Sequence, residues 1–98
     1  MTKDEILEKI AVLNQAAENL EEPDKTLKLS NLDQLKIELL GMAISEIADK
    51  MQSITLSDIE EMEANIKVAK DAAVANSDRV AAFNRAYNFI KGTIGIVL

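Results

Sequence analysis

The chain has 98 residues, a formal net charge of −6, 48% hydrophobic content and 3% aromatic content, with one proline, three glycines and neither cysteine nor histidine. That length suits one domain over residues 1–98 with a modest core, and the composition suits helices built on Leu, Ile, Ala and Met. The missing Cys and His exclude disulfides, thiolate chemistry and the ordinary ligands of zinc, haem and iron–sulfur sites, and they remove the commonest acid–base catalyst. The expectation is a protein that is not an enzyme, holds no cofactor and takes no small-molecule substrate.

The charge is uneven. Residues 1–63 hold six Lys and fifteen Asp or Glu, a sum of −9, whereas residues 64–98 hold five Lys or Arg and two Asp, a sum of +3. No apolar run reaches the roughly 18 residues of a membrane-spanning helix, and the opening MTKDEILEKI has acids where a secretion signal has its basic region. A cytoplasmic location is expected.

The first helix is predicted over residues 2–21. Thr2 and Glu5 have capping-box spacing, and Ile6, Ile10, Leu13, Ala17 and Leu20 follow in steps of four and three. Pro23 stops it near Glu21. Residues 23–31, PDKTLKLSN, read as a loop with a short turn.

A central helix is predicted over residues 31–53. One stripe runs Leu32, Leu35, Leu39, Met42, and another runs Ile37, Leu40, Ile44, Ile47, Met51, Ile54. Together they make an apolar face too wide for a helix buried on one side, which predicts that Leu40 and Ile44 lie sandwiched between neighbours. Gly41, in the middle, predicts a close crossing by another helix.

Ser57 and Glu60 have the spacing of a second capping box, opening a helix over residues 57–75. Asn76, Ser77 and Asp78 favour a turn, followed by a helix over residues 78–91. The competing reading continues the heptad through Asn76 as one helix from 57 to 91, about 50 Å long at 1.5 Å per residue, which would need a dimer to cover it. Gly92 is the predicted stop, leaving residues 92–98 as an apolar tail that should be covered by protein.

The fold expected is therefore all-α, an antiparallel four-helix bundle, with a helical hairpin plus one long dimerising helix as the alternative. The acids Asp58, Glu60, Glu61 and Glu63 point in different directions around a helix, so they do not form a metal site. The basic residues after position 64 are too few and too scattered for nucleic acid.

All three aromatic residues fall near the C-terminus among the basic ones. The surface expected to meet a protein partner is accordingly Arg79, Phe83, Arg85, Tyr87, Phe89, Lys91 and Ile94, aromatics and arginine being enriched at interface hot spots. The function expected is a non-enzymatic helical interaction module that self-associates into a homo-oligomer. One alternative is a small acidic inhibitor or immunity protein, of the phage-borne, nucleic-acid-mimicking kind, that blocks a basic protein surface. A second is membrane-surface activity of the C-terminal segment, without any membrane span.

Overall fold

A computed structural model describes residues 1–95, and within them the chain is all-helical with five helices and no strand. These are α1 (Lys3–Glu18), α2 (Asp24–Leu40), α3 (Ile44–Met51), α4 (Leu56–Lys70) and α5 (Asn76–Thr93). The four-helix expectation fails at the central segment, which is two helices instead of one. None of the helices is long and apolar enough to cross a membrane.

The N-terminal half of the reading holds for α1. Thr2 caps it by accepting from the Glu5 backbone N–H at 3.2 Å, although the Glu5 carboxylate takes the Thr2 hydroxyl at 3.3 Å instead of the Thr2 backbone N–H. The whole stripe Ile6, Ile10, Leu13, Ala17, Leu20 is buried.

The stretch read as a loop is helical. Pro23 sits at the N-cap of α2 with no capping side chain of its own. Glu22 supplies the missing acceptor one residue earlier: its carboxylate takes the Thr26 backbone N–H at 2.8 Å and the Thr26 hydroxyl at 2.7 Å. A proline stops the helix before it and starts the one after it, because its lost N–H is one that a first turn leaves free anyway.

At Leu40 α2 ends, and the freed carbonyls find a partner from another helix. Lys3 at the start of α1 donates its Nζ to the carbonyls of Leu40 at 3.2 Å and Met42 at 2.8 Å. A cation at a helix C-terminus answers both the unpaired acceptors and the negative end of the dipole. Gly41 is the C-cap at that break, and a Cβ placed on it would meet only the Glu38 and Ile37 carbonyls of its own helix. It is therefore not a crossing point.

The break reorients everything after it. Leu32, Leu35 and Leu39 are buried, as are Ile47 and Met51, but Ile37, Leu40 and Ile44 are 69%, 52% and 72% exposed. The proposed sandwich at Leu40 and Ile44 is thus overturned: α2 packs only the face of Leu32, Leu35 and Leu39, leaving Leu40 outside, and the chain turns before Ile44.

The cap of α4 is Thr55, two residues before the predicted one. Thr55 accepts from the Asp58 N–H at 3.1 Å while Asp58 accepts from the Thr55 N–H at 3.0 Å, a full capping box. It ends at Lys70, where Asp71 takes the Ala73 N–H on its side chain at 2.9 Å, a local bond that competes with helix. The single long helix over 57–91 is excluded; the turn exists, but at 71–75.

α5 runs past Gly92, which has open space around its Cβ position, to Thr93, and two residues on comes Gly95, the described glycine with positive φ, +70°. Only there does the chain need the left-handed conformation that ends a helix. Ile94 of the tail is buried at 1%; Ile96, Val97 and Leu98 lie outside the described residues.

The buried side chains form one core cluster, in which α1 packs on α2, α4 and α5, and α4 on α5. Two outcomes are expected. Leu35→Ala, at a fully enclosed position, should lose about 2–5 kcal/mol in chemical denaturation, while Leu40→Ala should lose less than about 1 kcal/mol. The Thr26 hydroxyl, then its backbone N–H, hold the Glu22 carboxyl below the usual range. A depressed carboxyl stabilises the fold above its unfolded pKa and stops doing so as pH falls through the folded one, so acid unfolding curves of wild type and Glu22→Gln should converge toward low pH and separate toward neutrality.

Candidate functional site

The seven residues expected at a partner surface separate into two groups. Arg79, Phe83, Tyr87 and Ile94 are buried, at 6%, 0%, 7% and 1% exposure, whereas Arg85 is exposed and Phe89 and Lys91 are half-buried. Phe83 and Tyr87, one turn apart on α5, stack with ring centroids 6.1 Å apart inside the core, and burial pushes the Tyr87 phenol above its ordinary pKa. Lys91 lies 5.6 Å from the centre of the Tyr87 ring, a cation over an aromatic face. As the chain is folded, the aromatic stripe faces inward and presents little to a partner.

Arg79 has the most constrained position of the seven. Its Nε donates to the Ala69 carbonyl at 3.0 Å and its Nη1 to the Asn19 carbonyl at 3.2 Å. Those carbonyls lie at the C-terminal ends of α4 and α1, so one guanidinium joins two helix ends whose dipoles both favour a cation. Its Nη2 is buried without a partner. One turn earlier, Asn76 accepts from the Glu21 N–H at 2.9 Å and donates to Asp24 at 3.3 Å, holding the α1–α2 connection. Arg79 and Asn76 are structural, and their spacing of three on the first turn of α5 is the signal that could have shown it.

Three grooves open between helices. The one between α1 and α2, about 470 Å³, is walled by Leu7, Asp33, Lys36 and Leu40. Between α1 and α4 a groove of about 290 Å³ has Val12 and Ile66 at its floor and Lys9, Lys67 and Lys70 around it. The third, about 420 Å³ between α4 and α5, carries Asp58, Glu61 and Arg85 around Met62 and Phe89. No group of His, Cys, Asp and Glu able to hold a metal ion occurs among the described residues.

What sequence reasoning missed is the outward-facing apolar surface. Ile37 and Leu40 are one turn apart on α2, Ile44 opens α3, and all three are more than half exposed around the Gly41–Ala43 break. Single exposed apolar residues are ordinary, but three concentrated at one corner are the kind of surface that meets another protein.

Comparison of the chain with protein-family models, with curated proteins and with solved structures found no match. The chemistry of these surfaces is therefore read from their own residues. Arg79→Gln should lower stability by about 1.5–3 kcal/mol, because a neutral amide cannot answer two buried carbonyls as the guanidinium does, while leaving any self-association constant of the folded protein unchanged in sedimentation.

Proposed function

We propose that this protein is a non-enzymatic helical interaction module that self-associates, and that its contact is the apolar corner where α2 turns into α3. The observation that carries the reading is the exposure of Ile37 at 69%, Leu40 at 52% and Ile44 at 72% within eight positions of one another, where the other exposed large apolar residues, Leu27, Leu56 and Val68, stand singly. Covering such side chains is favourable at roughly 25 cal/mol per Å² of apolar surface removed from water. A second copy would do so, and Lys3 holds the turn after Leu40 in place for it. Of the seven residues expected at a partner surface, Arg85, Phe89 and Lys91 reach it, since Arg79, Phe83, Tyr87 and Ile94 are buried.

A sedimentation experiment over a wide concentration range tests this. The wild-type mass should rise with concentration, and the double variant Ile37→Asp, Ile44→Asp should remain monomeric. Both side chains are exposed, so folding stability should move by no more than about 0.5 kcal/mol each, and aspartate at the first position of α3 suits the positive end of that helix. A wild-type chain that stays monomeric throughout, or a variant that associates as well as wild type, overturns the reading.

A further inference from the structure

The turn between α2 and α3 interrupts a pattern that the sequence carries straight through it. Ile37, Leu40, Ile44, Ile47 and Met51 recur in steps of three and four across the break, the spacing of one helix face. Little backbone change separates the turned form from a straight one. Gly41 already has helical dihedrals, φ −77° and ψ −10°, and Met42 still donates to the Leu39 carbonyl at 3.1 Å. Ala43 departs from helix, with ψ 147°, and supplies α3 with no side-chain cap.

Lys3 holds the turn. In a continuous helix the Leu40 and Met42 carbonyls accept from the N–H groups of Ile44 and Glu46, four residues on. Those are the two carbonyls to which Lys3 donates, at 3.2 and 2.8 Å. The same acceptors therefore serve the turned form through a side chain of α1 or the straight form through the backbone.

We propose that α2 and α3 also form one continuous helix, and that in this form two copies exchange halves, with α3–α5 of each packing on α1–α2 of the other. This rests on the self-association reading above and states how the contact becomes durable: the exposed corner brings two copies together, and the exchange joins them. A second copy is the occupant for two reasons. A helix from Asp24 to Met51 is about 42 Å long at 1.5 Å per residue, more than the 38 Å of the folded chain's longest dimension. Straightening also withdraws the buried Ile47 and Met51 from the core, and with them α4 and α5. The faces of α1 and α2 that these helices pack against are matched in shape only by those of another molecule of the same chain.

The exchange is reciprocal, so it closes at two chains about a twofold axis. Ile37, Leu40 and Ile44 of the two straight helices then meet their own equivalents beside that axis. Gly41 lies on the same face, four residues after Ile37 and three before Ile44, and lets the two backbones approach closely.

The test places proline at position 44 of the full chain. Ile44 is the first residue of α3 and Ala43 before it is extended, the two conditions that suit proline to a helix start. Inside a continuous helix the same ring clashes with the Leu40 carbonyl and removes a hydrogen bond. Ile44→Ala is the control, since it removes the same exposed side chain and still permits straightening. Gly41→Ala should act in the opposite direction: its Cβ meets only carbonyls of its own helix, at 3.5 and 3.8 Å, in the turned form, and alanine favours continuous helix. Each protein is refolded at high concentration, diluted and followed by size-exclusion chromatography for hours, with circular-dichroism melting to establish that it folds. Wild type should give a dimer that outlives dilution, because separating exchanged halves opens both cores. Ile44→Pro should dimerise at least about tenfold more weakly than Ile44→Ala, and Gly41→Ala about fivefold more tightly than wild type. If wild type associates but returns to monomer at once on dilution, if Ile44→Pro matches Ile44→Ala, or if Gly41→Ala matches wild type, the exchange is wrong and association through the corner surface still stands. If wild type stays monomeric at every concentration, both are wrong.

Discussion

The guanidinium of Arg79 carries a positive charge into a region with little access to water, and two backbone carbonyls answer it. Burying a charge is costly unless it is hydrogen-bonded and electrostatically complemented. Here the complement is backbone: the C-terminal ends of α1 and α4 both point their unpaired carbonyls at the first turn of α5. With Asn76 holding Glu21 and Asp24 from that same turn, the start of α5 decides where α1 ends, where α2 begins and how α4 is aligned beside α1. The packing of the remaining helices follows from those directions.

At the opposite end of the molecule Lys3 plays a comparable part. It holds the carbonyls released where α2 stops, so the turn into α3 is tied to α1. The consequence is an asymmetry in how apolar side chains are used. Leu32, Leu35 and Leu39 stay inside, Ile47 and Met51 return inside after the turn, and Ile37, Leu40 and Ile44 between them face out. Leu27 and Leu56 are exposed as well, but singly; three such side chains close together in sequence around a tethered turn are the reason for reading this corner as a contact.

Basic residues late in α4 border a groove with an apolar floor, and the exposed apolar corner lies among charges of both signs, Glu38, Glu46 and Asp49 with Lys3, Lys36 and Lys50. Hydrophobic contact supplies most of the free energy in such an association, while charge chooses which surfaces meet and in what orientation. Tyr87 is buried in the core, Asp58 serves the capping box of α4, and Asp58 and Glu61 line the α4–α5 groove with Arg85.

The helical class, the cap at Thr2, the buried stripe of α1, the end of that helix before Pro23 and the presence of a turn between α4 and α5 were all legible in the sequence. Each depends on residues within one or two turns of each other, where periodicity and capping chemistry act directly. The break at Gly41, the helicity of residues 24–31 and the burial of Arg79 were not legible, because each depends on a partner distant in sequence or on competition between local bonds. Lys3 stabilises carbonyls 37 and 39 residues away, Glu22 displaces the loop expected after Pro23, and Arg79 reaches 60 residues back to Asn19. A stripe of apolar residues says that a helix has a face to bury. Whether Ile37, Leu40 and Ile44 bury it was settled only by tertiary packing: α2 buries the face of Leu32, Leu35 and Leu39 and leaves Ile37 and Leu40 outside, and the break after Leu40 redirects Ile44.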